Sequence, residues 1–129
     1  MRVYNDSGAT ITNGTPVYVS GYDATNDLPE ISETNASVSD TARILGLATH
    51  DIENGTVGFV AWFGRVNDVD TSSYSPSDLL WLGTTDGTLT NTRPSAPNHA
   101  VLVGVVVRSH ATEGAILMRS VNDNGGVRS

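Results

Sequence analysis

His50-Asp51, with Glu53 two residues on and Asn54-Gly55 behind it, has the residue types of a general acid/base pair. Such work needs a pocket and a third group to position the imidazole. The flanking sequence supplies neither, so a solvated turn at a strand end is the simpler reading. Asn67-Asp68-Val69-Asp70 sets oxygen ligands two residues apart, on one face of a strand. It lacks the glycine at loop position six and the distal glutamate of an EF-hand. His99 and His110 flank a run of valines. At ~3.3 Å per strand residue they stand too far apart to share a metal unless another chain brings them together. Serines abound, yet no Gly-x-Ser-x-Gly elbow, Gly-x-Gly-x-x-Gly turn or Walker loop occurs. Cysteine and lysine are both absent, which removes thiol catalysis, thiolate metal sites, disulfides and Schiff-base chemistry. The chain is therefore read as not an enzyme, with no catalytic, cofactor-binding or metal-binding residue and no cofactor. Tyr18, Tyr22, Tyr74, Trp62 and Trp81 could stack on sugars or a protein partner; the two Trp and Tyr18 are read as core or subunit-interface residues.

The elements that must carry these residues follow from composition. Thr, Ser, Gly, Asn and Asp supply 61 of the 129 residues, a share that in other company would suggest disorder. Against that stand an apolar share of 38% and a β-branched set of 15 Val, 5 Ile and 15 Thr, whose stiff side chains suit a pleated surface. They occur in short clusters divided by turn residues, the pattern of many short strands. Seven arginines against fourteen acidic residues leave a formal charge of −7, which disfavours a nucleic-acid partner, since phosphate binding rests on Lys and Arg. No apolar run approaches the ~20 residues that span a bilayer, so no membrane partner is expected. The opening Met1-Arg2-Val3-Tyr4-Asn5-Asp6 turns polar at once, unlike a signal peptide.

Strands are expected near Val3-Tyr4, 16–20, 27–31, 42–50, 56–63, 65–69, 79–82, 100–110 and 115–119. Asn13-Gly14, Asn54-Gly55 and Asp86-Gly87 mark tight turns. Residues 21–40 read as a polar surface excursion with a short edge strand, and Ser37 to Leu45 can hold a single helical turn at most. Arg93 to Asn98, with two prolines, reads as an extended loop. The fold class is all-β, a small antiparallel barrel or sandwich of about 8–10 short strands. Residues 1–121 form its single domain, and 122–129 a tail that is flexible or docked on a neighbour.

The two halves of the chain echo each other. Pro16-Val17-Tyr18-Val19-Ser20-Gly21 resembles Leu79-Leu80-Trp81-Leu82-Gly83, and Ala42 to Ala48 resembles Ala100 to Val106 at an offset of 58. Either two similar three-strand units close on each other, or hairpins look alike because turns demand it. Strict alternation from Val101 to Val107 puts Val101, Val103, Val105 and Val107 on one face and Leu102, Gly104 and Val106 on the other. Both faces are then apolar, where a half-exposed antiparallel strand should alternate apolar and polar. Val57 to Phe63 behaves likewise, with Val60 and Trp62 opposite Val57, Phe59, Ala61 and Phe63. One apolar face fills the core. The second is covered by another layer of the same chain or by another subunit, with Trp62, Val60, Trp81, Val103, Val105 and Val107 as candidate interface residues.

The order of segments resembles a small β domain of virion structural proteins in tailed bacteriophages. The residues that carry this run from Asn13-Gly14-Thr15-Pro16-Val17-Tyr18-Val19 through Ala42 to Ala48 and the Gly55 turn. They continue through Gly58-Phe59-Val60-Ala61-Trp62-Phe63-Gly64-Arg65-Val66, Asp78 to Gly83, Gly87-Thr88-Leu89-Thr90, and Arg93 to Arg119. The domain occurs within tail-fibre and head-fibre proteins and is similar in logic to capsid decoration (cement) proteins. The resemblance covers about residues 3–120 and implies a non-enzymatic virion component, assembled in the host cytoplasm. Its partners would be further copies of itself, as a homotrimer, and the major capsid protein or another virion protein. A chain that opens at Met1, rather than inside a longer fibre, is expected to act as a free-standing capsid accessory. The other reading is an adhesion module of a tail fibre or baseplate, holding host carbohydrate through loops at 20–40 and 70–78.

Overall fold

In the computed structural model, residues 1–118 are described. Ten strands follow in order: β1 (Arg2–Asn5), β2 (Pro16–Asp23), β3 (Leu28–Glu33), β4 (Ile44–Ala48), β5 (Val57–Ala61), β6 (Gly64–Val69), β7 (Leu79–Leu82), β8 (Leu89–Thr90), β9 (Leu102–Arg108) and β10 (Gly114–Met118). A 3-10 turn, Asp40–Ala42, precedes β4. The all-β expectation holds. The anticipated turns are present as well: Thr15, Thr56 and Thr88 each donate an N–H to the carbonyl three residues back, and Gly14, Gly55 and Gly87 sit at positive φ, a conformation open to glycine at little cost. The expected tail, 122–129, lies outside the described residues.

The first five strands close into a barrel in the order β1-β3-β2-β4-β5, and the last five form a sheet in the order β6-β10-β9-β7-β8. Read from the other edge, the two orders correspond strand for strand: β3-β2-β4-β5-β1 matches β8-β7-β9-β10-β6, every adjacent pair being antiparallel. The register agrees too. Pro16, Val17 and Tyr18 face Leu47, Gly46 and Ile44, with an irregularity after Val17. Leu79, Leu80 and Trp81 face Val105, Gly104 and Leu102, with an irregularity after Leu80. The echo in the sequence is therefore a structural repeat, and its unit has five strands rather than three.

The halves differ at one place. In the first, β3 pairs in parallel with β1 and closes the barrel. In the second, β8 is two residues long and does not pair with β6, so the sheet stays open. Tyr74 stands in the gap, its hydroxyl donating to the Leu89 carbonyl at 3.0 Å. The polar composition of 21–40 suggested an edge strand, but β3 is central and Ile31 is fully buried. Two buried apolar side chains, Leu28 and Ile31, are enough to seat a strand that otherwise carries Pro29, Ser32 and two glutamates.

Two cores result. Val3, Ile11, Val17, Ile31, Ala48, Ile52 and Val60 fill the barrel. Val66, Leu80, Leu82, Val103, Val106, Ile116 and Met118 line the open sheet, and with them pack Ala36, Ala42, Ile44 and Leu47 from the first half. Strand β4 is thus covered on both sides, by its own barrel within and by the second half without.

Candidate functional site

The residues whose types suggested chemistry are used in turns. His50 Nε2 accepts the Phe59 N–H at 3.1 Å and Nδ1 lies 3.0 Å from the Asp51 carbonyl, so the imidazole is held as the Nδ1–H tautomer. The Asp51 carboxylate accepts the Asn13 N–H at 2.8 Å. His110 Nδ1 accepts the N–H groups of Thr112 and Glu113 at 3.0 and 2.9 Å, fastening the β9–β10 turn. His99 is exposed and joins the fold through its backbone N–H, donated to Ala36. Nothing brings the three histidines to one place.

The Asn67–Asp70 stretch is likewise taken apart by the backbone. Asn67 accepts from Arg65 Nε at 2.7 Å, and Asp68 sits at φ 61°. The carbonyls of Asn67 and Asp68 accept the Asn13 amide, tying the first half to β6. Asp70 turns away to accept the N–H and hydroxyl of Ser72 at 3.0 and 2.7 Å. Those bonds hold its carboxyl below the usual carboxylate range. Asp78 is held low in the same way by the Ser75 N–H and the Asn91 amide. Glu33 goes the other way: burial and the nearby Asp86 carboxylate raise it. Among the described residues, no group of three or more His, Asp or Glu is placed to hold a metal ion.

The expected interface residues divide. Trp62 and Val107 are exposed, and Trp81 and Val105 are half-buried at the surface. Val60 and Val103, each 1% exposed, belong to the two internal cores and contribute to no surface. The physical reason lies in the register. Leu80 faces Gly104 while Trp81 faces Leu102, and Ala115 faces Arg108 while Ile116 faces Val106. Val103 and Val107 are therefore the extra residues of two β-bulges, which break strict alternation. With Val103 bulged, both Val103 and Val106 reach the core, and Val105 turns outward.

Alternation along single strands did not reveal the partners of Val105. Leu79, Val105 and Leu117 lie side by side across β7, β9 and β10, with Leu79 43% and Leu117 44% exposed. Trp81 and Leu102 form the next row, and the Arg93 guanidinium stands 5.4 Å from the Trp81 ring centre. The outer face of the second sheet is thus an apolar stripe. Leu117 could have been found from Ala115-Ile116-Leu117-Met118, which is apolar on both faces as the valine strand is. A second exposed group lies where β5 leads into β6: Trp62 and Phe63 meet edge to face at 4.8 Å, and Phe59 within β5 is exposed as well.

No protein-family model matches this chain, and no curated protein matches it either. Solved structures do. The N base of the head fibre protein gp8.5 of bacteriophage phi29 is similar over 92% of both chains, at a TM-score of 0.58 and 16% identity. A chain of the capsid of the Myoviridae phage XM1 is similar over 90% of this chain and 79% of its own, at a TM-score of 0.53 and 20% identity. The fold is shared almost end to end. The likeness expected from the sequence, to β domains of tailed-phage virions, is the one found.

Proposed function

We propose that this protein is a structural component of a bacteriophage virion, held on the outer capsid surface as a decoration (cement) or head-fibre protein. The observation that carries the reading is the likeness of nearly the whole chain to a head-fibre base and a capsid chain. The protein works by burial and not by catalysis: its histidines and aspartates brace turns, and what it offers a partner is surface. It acts as a homotrimer whose loops bridge neighbouring capsid subunits against the pressure of the packaged genome. A charge of −7 without lysine suits an outward position, away from DNA.

The test is to mix the purified chain with capsids that lack it, sediment them, and locate added density by electron microscopy. Saturable binding at fixed sites on the capsid lattice, with a raised temperature of capsid disruption, is expected. Retention on host carbohydrate or on tails, with none on capsids, would sink the proposal in favour of an adhesion module.

A further inference from the structure

We infer that the Leu79–Val105–Leu117 face of the second sheet is where further copies of this chain dock, the face of each copy turned toward a common threefold axis. The inference deepens the virion reading and rests on its oligomeric part. It starts from the internal repeat. Pro16, Leu47 and Ala61 form the row in the first half that corresponds to Leu79, Val105 and Leu117 in the second. Tyr18 and Ile44 likewise correspond to Trp81 and Leu102. In the first half this outer row is largely dry: Pro16 is buried, Leu47 is fully buried, Ala61 is half-buried, and all but Pro16, together with Ile44, pack on the core that the open sheet provides. The first half is covered by the other half of the same chain. The second half carries the equivalent row, with larger side chains at two of its three positions, and no described residue covers it.

Two further observations narrow the occupant. The row itself contains no carboxylate in a chain with fourteen; Arg65 lies opposite Leu117 and Arg93 over Trp81, while the carboxylate of Asp78, next to Leu79, is engaged by the Ser75 N–H and the Asn91 amide. Copies of net charge −7 repel one another over most of their surface, so a row free of acid is where they can approach. The segment that follows β10, residues 119–129, offers only Val121 and Val127 as apolar residues, too little to dry a three-strand face. A closed cyclic assembly about that axis turns the face of every copy inward and leaves none exposed.

The absence of cysteine from the sequence gives a clean test with the full chain. Leu79→Cys is expected to form disulfide-linked copies under mild oxidation, while Trp62→Cys, on the other apolar group, stays uncoupled. Leu117→Asp is expected to reduce the mass seen by sedimentation from a multiple of 13.6 kDa to 13.6 kDa itself, with its circular dichroism unchanged. A monomeric wild type at micromolar concentration, or an assembly indifferent to Leu117→Asp and coupled through Trp62→Cys, overturns the inference. Capsid binding is measured in parallel. If the wild type is monomeric and Leu117→Asp loses the capsid, the face serves the capsid protein, and only the copy-to-copy inference falls. If the wild type assembles through this face but binds no capsid, the virion reading falls and the docking face stands.

Discussion

Gly46 and Gly104 occupy the same place in the two halves. Each lies opposite the second strand of its sheet, facing Val17 or Leu80. Each has a backbone carbonyl, of Ala61 or Leu117, nearer than 3.0 Å to where a Cβ would stand. A repeat that preserves two close approaches as well as a strand order is a repeat of packing. The glycine serves closeness here, because neither residue needs positive φ.

Substitution at this pair is the first prediction. Gly46→Ala and Gly104→Ala each force one strand away from its neighbour, at a cost of about 1–3 kcal/mol. Thermal unfolding should show comparable drops for the two variants. A loss in only one half would mean that the two sheets are not packed alike.

Tyr74 fills the opening that β8 is too short to close. Tyr74→Phe should remove the bond to the Leu89 carbonyl and cost about 0.5–1.5 kcal/mol. Amide exchange at Leu89 and Thr90 should quicken while exchange in the barrel is unchanged. In the wild type, burial and the nearby Asp70 raise the phenol above its usual 10.0, so absorbance titration should show a late component that Tyr74→Phe abolishes.

Asn5 is fully buried in β1. Its amide donates to the carbonyls of Ala9 and Ile52 at 2.8 and 2.7 Å, while its oxygen accepts the N–H and hydroxyl of Ser7. Asn5→Ala removes the amide from the Ala9 and Ile52 carbonyls and the acceptor from the Ser7 N–H and hydroxyl, and should cost about 1–3 kcal/mol. Denaturant titration checks this, and an effect below about 1 kcal/mol would show that water replaces the amide.

Stability against pH should have two opposed carboxylate contributions. Asp70 and Asp78 are held below the ordinary 3.8, so their stabilisation is present above that value and disappears as pH falls through the lower folded one. Glu33 is raised above its ordinary 4.5. Its favourable protonated state is fully available below 4.5 and is lost as pH rises through the higher folded value. Glu33→Gln should therefore raise the melting temperature slightly at pH 7, a stabilisation of less than about 1 kcal/mol in this exposed place, and have no effect at pH 4. Asp78→Asn should lower it at pH 7 and flatten the acid limb. Opposite signs would reverse the assignment of the two environments.

Much of this was legible in the residues. Turn glycines at 14, 55 and 87, β-branched clusters and the near-match of Ala42–Ala48 to Ala100–Val106 specify short strands, tight turns and a repeated unit, because each is a local steric preference. The lack of cysteine and lysine, and of any spaced set of ligands, is likewise a property of composition. Register is not local. The bulges at Val103 and Val107 arise where three strands must agree on hydrogen bonding, and they decide that Val103 faces the core and Val105 the surface. The closing of one half and not the other depends on how far β3 and β8 extend beside strands remote in sequence. The sequence by itself determined the material, an acidic chain of short strands and turns. The tertiary structure alone decided which apolar face is covered, since burial is a relation between residues that the chain brings together only by folding.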